Sequence, residues 1–364
     1  MSTKEQELLN LLKKNPYASQ QEIADVLQLS RPSIANLISG LVKAGKIKGR
    51  AYILSEGNPV LVFGGMNVDR KMVVKGQLTY QTSNPVTSYQ TVGGVARNIA
   101  ENLGRLGQEV KLMSVAGQDM EYEFLREQTA EWVDLQHVER FSGDRTGTYT
   151  AVIDGEGEMQ VAFADMEIYR HITPEWVMRH EKLMKSSAMM VVDLNLAKES
   201  VEQILTLART FQIPTTIVPV SGPKMKNLPD SLDGVTWIIC NQGEAEMMTG
   251  QSIQSQRDLE MAHQDLHNKG AKHVVITNGS QGVTVSSNKE VTHLSAIEPK
   301  VIRDVTGAGD SFVAALLHQW VEGQDSASAV FAGLINATKT LESTYTVRTE
   351  LTKDVLEKEM EEYK

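Results

Sequence analysis

From Val60 onward the sequence alternates between short apolar runs and longer amphipathic stretches, and that alternation leaves few architectures open. VLVFGG, VKLMSVAG, AMMVVDL, TTIVPV, VTWIIC and HVVIT read as buried strands. NIAENLGRLG, PEWVMRHEKLMKS and SVEQILTLARTF lie between them and repeat apolar residues at helical spacing. Strands and helices in this order predict an α/β fold, a mostly parallel sheet with helices on both faces. Such sheets bind ligands beyond the C-terminal ends of their strands. Two segments depart from the pattern. At about residues 71–91 and 146–163, Thr, Val and Tyr alternate with polar residues, and these are expected to be antiparallel strands of a small β lid.

Residues 1–56 follow a different plan. EQELLNLLKK, SQQEIADVLQLS and SRPSIANLISGLVKAG predict three short helices. Ser19 with Glu22 matches a capping box, Ser30 is an N-cap with Pro32 in the first turn, and Gly45 ends the third helix. Ile34, Leu37, Ile38 and Leu41 would share one face of that helix. KIKGRAYIL is expected to form a two-stranded wing turning at Gly49. This segment carries eight Lys/Arg against five Asp/Glu, or +3, whereas the whole chain carries −10 and the remainder therefore −13. An excess of one sign in one part suggests a separate partner. The arrangement resembles the winged helix-turn-helix domains of bacterial regulators. By that resemblance Arg31, Ser33, Asn36 and Lys43 would face DNA, with Lys46, Lys48 and Arg50 reaching phosphates. The competing reading is a helical dimerisation cap with a solvated basic surface. SEGNP, with Gly57 and Pro59, is the expected linker between domains 1–56 and 57–364.

A length of 364 residues suits one large α/β domain with an appendage. The N-terminal stretch has no signal-peptide apolar core, and no apolar run approaches the roughly 18–20 residues that span a bilayer. A single cysteine, Cys240, cannot form an internal disulfide. A cytoplasmic protein without a membrane partner is therefore expected, and a homodimer is the expected assembly.

The segment RDVTGAGDSF carries the most specific chemistry. Gly307, Ala308 and Gly309 strip side chains from the start of a helix, where unpaired N–H groups meet the positive end of the helix dipole. A phosphate can approach such donors closely. Asp310, next to them, is badly placed to bind an anion and well placed to take a proton from a hydroxyl attacking a phosphate. Other glycine-rich strand ends accompany it. FGGMNVD offers Asp69, TVGGVARN offers Gly93, Gly94 and Asn98, CNQGEAE places Asn241 and Glu244 three apart, and TNGSQG holds Thr277, Gly279 and Gly282.

In this order and spacing, these segments resemble the ribokinase-like (phosphofructokinase-B) family of sugar and nucleoside kinases, through residues 60–345. The resemblance implies that Asp69 and Asn98 hold sugar hydroxyls, helped by the backbone of Gly93 and Gly94. It implies that Asp310 is the base, with Gly307–Gly309 as the anion hole. Asn241 and Glu244 would organise Mg²⁺ through water. Thr277, Gly279 and Gly282 would line the ATP groove, and Asn336 would lie near the adenine, unless Asn336 merely caps packing between helices and Thr277 is a strand-end hydroxyl. Asp304 and Val305 stand where some members bind K⁺. GGVARNIAENLGRLG, VDLNL (Asp193, Asn195) and PVSGPK (Ser221, Lys224) resemble the pseudouridine kinase branch. Lys224 would meet a ligand phosphate or base carbonyl, unless it is a surface lysine. Inosine, guanosine, adenosine or a free sugar stay open as substrates, as does a nucleoside-sensing regulator built on a kinase fold. His263 and His267 in HQDLH have zinc-compatible spacing but are expected to be a solvated helix face, and Cys240 a small buried residue.

Overall fold

In a computed structural model, which describes residues 3–14, 20–48, 57–287 and 290–363, the N-terminal helices are α1 (Thr3–Lys14), α2 (Gln20–Leu27) and α3 (Arg31–Lys43). They close over Leu8, Ile23, Leu27, Ile34, Ile38 and Leu41. Ser30 caps α3 by accepting from Ser33 N at 3.3 Å, and Pro32 sits in its first turn. Leu37 is only half-buried beside that core. The expected wing at Gly49, the contact of Arg50 and the Ser19–Glu22 capping box lie outside the described residues. The chain divides into two compact units, Met1–Glu56 and Gly57–Lys364.

The second unit is built on a nine-stranded sheet, as far as the described residues go. Its strands are β1 (Val60–Phe63), β4 (Val110–Gly117), β5 (Val138–Phe141), β8 (Met189–Asp193), β9 (Thr215–Val218), β10 (Trp237–Asn241), β11 (His273–Thr277), β12 (Val283–Ser287) and β13 (Glu290–Leu294). They lie in the order β13-β12-β11-β10-β9-β8-β1-β4-β5. All neighbours are parallel except β11–β12 and β12–β13, which turn back as an antiparallel edge. β1 shows why the strands read as unbroken apolar runs. Leu61 and Phe63 join the core on one face, while Val60 and Val62 join the core on the other. Strands buried on both faces need no polar alternation.

The helices are α4 (Val95–Arg105), α5 (Met120–Thr129), α6 (Pro174–Arg179), α7 (Glu181–Lys185), α8 (Lys198–Phe211), α9 (Gln242–Thr249), α10 (Gln256–Asn268), α11 (Ala308–Val321), α12 (Ser326–Leu341) and α13 (Lys353–Glu362). α4, α5, α11 and α12 cover the Val60 face, and α6, α8, α9 and α10 the Leu61 face. PEWVMRHEKLMKS is two helices rather than one, since His180 leaves helical geometry at φ −101°, ψ 8°. Among the described residues, no helix is long and apolar enough to cross a membrane.

A second sheet holds β2 (Asn67–Val74), β3 (Val86–Gly93), β6 (Gly147–Ile153) and β7 (Met159–Asp165), in the order β3-β2-β6-β7. It is not wholly antiparallel as expected. β2–β3 and β6–β7 are antiparallel, but β2 and β6 pair in parallel over seven residues, from Asn67↔Gly147 to Val73↔Ile153. The physical reason is connectivity. Each antiparallel pair is sequence-local, and the long stretch between the pairs lets their inner strands run the same way.

Candidate active site

Past the end of β1 the chain turns into β2, where Asp69 pairs across the ladder with Thr91 and Asn67 with Gly93. A Cβ at 93 would stand 2.3 Å from Asp69 Oδ2, so any larger residue there would displace the Asp69 carboxylate. Asn67 Nδ2 donates to Asp69 Oδ1 at 2.6 Å. Partial burial raises the Asp69 carboxyl to about 6, against the pull of Asn67, Lys71 and Arg97.

Gly94 starts α4, whose residues Ala96 to Leu103 are all buried. Charged groups in that position need partners. Arg97 pairs with Glu101, donates from Nε to Thr129 Oγ1 at 3.1 Å, and donates to Asn98 Oδ1 at 3.0 Å. With its oxygen so engaged, the Asn98 amide presents Nδ2 to Asp310 Oδ2 at 2.8 Å.

Asp310 is the third residue of α11, after the cap at Gly307. Gly307 has φ +83°, and a Cβ there would meet the Thr346 carbonyl at 2.2 Å, so the turn requires glycine. Removal from water pushes the Asp310 carboxyl up to about 7. The charges of Asp193 and Asp69 add to the rise, while Asn98 and Arg97 oppose it. A carboxyl poised near neutrality in the first turn of a helix can accept a proton next to a site for anionic charge.

Asp193, at the end of β8, is buried and holds the surrounding loops together. It accepts from Gly65 N at 2.8 Å, Ala96 N at 3.1 Å, Asn195 N at 2.8 Å and Asn195 Nδ2 at 3.1 Å. Lys224, on the turn Gly222–Asn227, is half-buried; burial lowers its pKa while Asp193 raises it.

On the other side of the α11 N-terminus lies a cleft of about 410 Å³. Thr277, Gly279, Gly282, Ala308 and Gly309 line it, with Val283, Ile297, Phe312 and Leu334 as apolar walls. A groove that is apolar along its length and rich in backbone donors at one end suits a nucleotide. Asn241 and Glu244 form a capping box at α9: Glu244 N donates to Asn241 Oδ1 and Asn241 N to Glu244 Oε2, both at 2.9 Å. Burial raises the Glu244 carboxyl. Their oxygens are the hard donors that Mg²⁺ takes, directly or through water.

Three expectations change. Asn336 does not line the cleft. It is fully buried, donating to Ser311 O at 2.9 Å and Asn102 Oδ1 at 3.2 Å and accepting from Arg348 Nε at 2.9 Å, so its polar atoms are committed to packing α12. Asp304 does not fit an open cation site. Its Oδ2 accepts from Lys71 Nζ at 2.6 Å and its Oδ1 accepts from Thr306 N and Oγ1 at 2.9 and 2.7 Å, while the Val305 carbonyl has only a long contact, 3.5 Å, from Ala308 N. His263 is not solvated but buried, bonded to Ser286 Oγ at 2.7 Å and Thr284 Oγ1 at 2.8 Å, and His267 Nε2 shares Ser286. Among the described residues no group of side chains could hold a metal through several His, Cys, Asp or Glu. Cys240 is buried as expected, and burial pushes its thiol up.

In the N-terminal unit Arg31, Asn36, Lys43, Lys46 and Lys48 are exposed and Ser33 is half-buried, its hydroxyl 2.8 Å from that of Ser30. Sequence reading passed over Arg97 and Lys71. An arginine one residue before Asn98, in the buried stretch of α4, was the available signal for the first. Nothing local pointed to the second.

Comparison with known proteins agrees with this geometry. The model of the pfkB family carbohydrate kinases matches residues 58–353, and the winged helix-turn-helix DNA-binding model matches residues 1–48. The chain is 32% identical to the uncharacterized sugar kinase YeiI of Escherichia coli over 324 residues, 89% of each chain. It is also 32% identical to the pseudouridine kinase of E. coli over 280 residues, 76% of this chain and 88% of the other. The Arabidopsis thaliana ribokinase solved with ribose and ATP superposes with a TM-score of 0.76 at 18% identity, covering 84% of this chain and 99% of that one.

Proposed function

The chain belongs to the pfkB family of carbohydrate kinases, and from that premise we propose that it moves the terminal phosphoryl group of ATP to the 5′-hydroxyl of pseudouridine. The observation that carries the reading is the Asn98–Asp310 contact at the head of α11, between Asp69 and the apolar cleft. The 32% identity to a pseudouridine kinase, against 27% to a guanosine-inosine kinase, supports that nucleoside, and the equal 32% identity to the sugar kinase YeiI keeps a free sugar as the alternative.

Asp69 and Asn98, with the backbone of Gly93 and Gly94, orient the sugar. Asp310 takes the proton of the attacking hydroxyl as its oxygen bonds to the γ-phosphorus and the bond to the β-phosphate oxygen breaks, releasing ADP. The N–H groups of Gly307, Ala308 and Gly309 hold the charge on the transferring group. Thr277, Gly279 and Gly282 contact the nucleotide. Asn241 and Glu244 would hold Mg²⁺ through water, and the ion would offset phosphate charge. Lys224 is the candidate contact to the base. The protein is proposed to be a cytoplasmic homodimer.

The test is a panel of nucleosides and sugars with ATP·Mg²⁺, scored by phosphorylated product. Pseudouridine is expected to give the highest kcat/KM, and preferential turnover of another nucleoside would replace it.

A second reading concerns residues 1–56. The winged helix-turn-helix match and the exposed Arg31, Asn36 and Lys43 favour DNA binding over a dimerisation cap, so that nucleoside occupancy and DNA affinity would be coupled.

A further inference from the structure

Asp304 opens the turn Asp304–Gly307 that leads into α11, and its neighbourhood already holds a cation. Lys71 lies two residues after Asp69 on β2 and so projects from the same face of that strand. It reaches 233 residues along the sequence to place Nζ 2.6 Å from Asp304 Oδ2. The other carboxylate oxygen is held by Thr306 N and Oγ1. An ion arriving at Asp304 would find both oxygens engaged and a like charge beside it. An ammonium group has the charge of a potassium ion and nearly its size.

We propose that Lys71 stands in for a monovalent cation at this turn. Its ammonium neutralises Asp304 and fixes the Val305–Thr306–Gly307 backbone that presents the N–H groups of α11. Lys71 is a positioning residue in this scheme, since it acts through the turn rather than on the reacting atoms. The enzyme then needs no K⁺, and the lysine comes from the second sheet, so the turn takes its full form only with that sheet in place. The inference rests on the phosphotransfer reading for one of its two measurements alone.

The first measurement needs no nucleoside substrate. ADP affinity of the full-length protein is determined by calorimetry in choline, sodium and potassium chloride at equal ionic strength. The wild type is expected to bind ADP equally in all three. Lys71→Met is expected to bind about tenfold more weakly in choline, the lower end of what a hydrogen bond between charged groups contributes. K⁺ or NH₄⁺, but not choline, restores it. The second measurement repeats the comparison on kcat with pseudouridine, or with whichever nucleoside the panel selects, and the same pattern is expected. Lys71→Gln, which keeps a donor toward Asp304 without the charge, serves if the methionine variant does not fold.

Wild-type affinity or turnover that rises severalfold with K⁺ over choline would overturn the proposal. So would a variant whose loss neither K⁺ nor NH₄⁺ repairs. A failure confined to the kinetic measurement on pseudouridine, with the ADP pattern intact, counts against the substrate and not against Lys71.

Discussion

Asn98 Nδ2 donates to Asp310 Oδ2 at 2.8 Å, and the same amide accepts from Arg97 through its oxygen. The amide therefore cannot flip without facing its oxygen toward a carboxylate and its NH₂ toward a guanidinium. Arg97 is anchored by Glu101 and Thr129 within the buried stretch Ala96–Leu103 of α4. One buried ion pair thus sets which atom the base meets.

Asp310→Asn is expected to lower kcat by about 10²–10⁴-fold, the usual contribution of a general base, with nucleoside and nucleotide affinities little changed. The same variant carries a stability signature. The wild-type carboxyl holds its proton up to about pH 7 in the fold, whereas the ordinary value is 3.8. Between those values the native state binds more protons than the unfolded state, so stability falls as pH rises through the window. Asparagine has no charge to bury. The variant is expected to melt above the wild type at alkaline pH and to match it near pH 4, and thermal scans at the two pH values check this. Near-normal turnover would remove Asp310 from its role.

The pH dependence of kcat/KM follows from the same carboxyl. Activity requires the ionised form, so the profile is expected to rise through about pH 7 and then level. Asn98 lowers that pKa by its hydrogen bond, so Asn98→Ala is expected to move the rising limb to higher pH. A limb that stayed in place would mean that another group controls the profile.

Asp69→Ala is expected to weaken nucleoside binding far more than ATP binding. Hydrogen bonds to a charged group contribute about 1.5–3 kcal/mol each, and the nucleotide cleft is lined by other residues. Separate titrations with each ligand decide it, and equal losses would assign Asp69 a structural role.

Binding of the intact protein to DNA from around its own gene is expected to fall steeply with salt, because contacts to phosphates release counterions. Arg31→Ala and Lys43→Ala are expected to weaken it on any sequence, and Asn36→Ala to change sequence preference. Fluorescence anisotropy with and without pseudouridine measures both. Affinity no better than for random DNA would return residues 1–56 to a dimerisation cap.

What could be read from the sequence was local. Strand runs such as VLVF declare burial on both faces, and the TGAGD segment carries its helix cap, its donors and its carboxylate within a few residues. What could not be read was the set of partners. Asp193 collects Gly65 from 128 residues away and Ala96 from 97, Lys71 crosses 233 residues to Asp304, and Asn336 is occupied by Arg348 and Asn102. Only the folded chain brings these groups together. A motif can nominate Asn336 or Asp304 as a ligand contact, but it cannot reveal that their polar atoms are already in use.

The parallel seam between β2 and β6 has a mechanical consequence. Two hairpins meeting at an unbonded edge would flap independently, like shutters. Here the inner strands are laced over seven residue pairs, with β3 and β7 bonded outside them. The small sheet is therefore laced into a single plate, and any displacement of it would carry Asp69 and Lys71, both on β2, together.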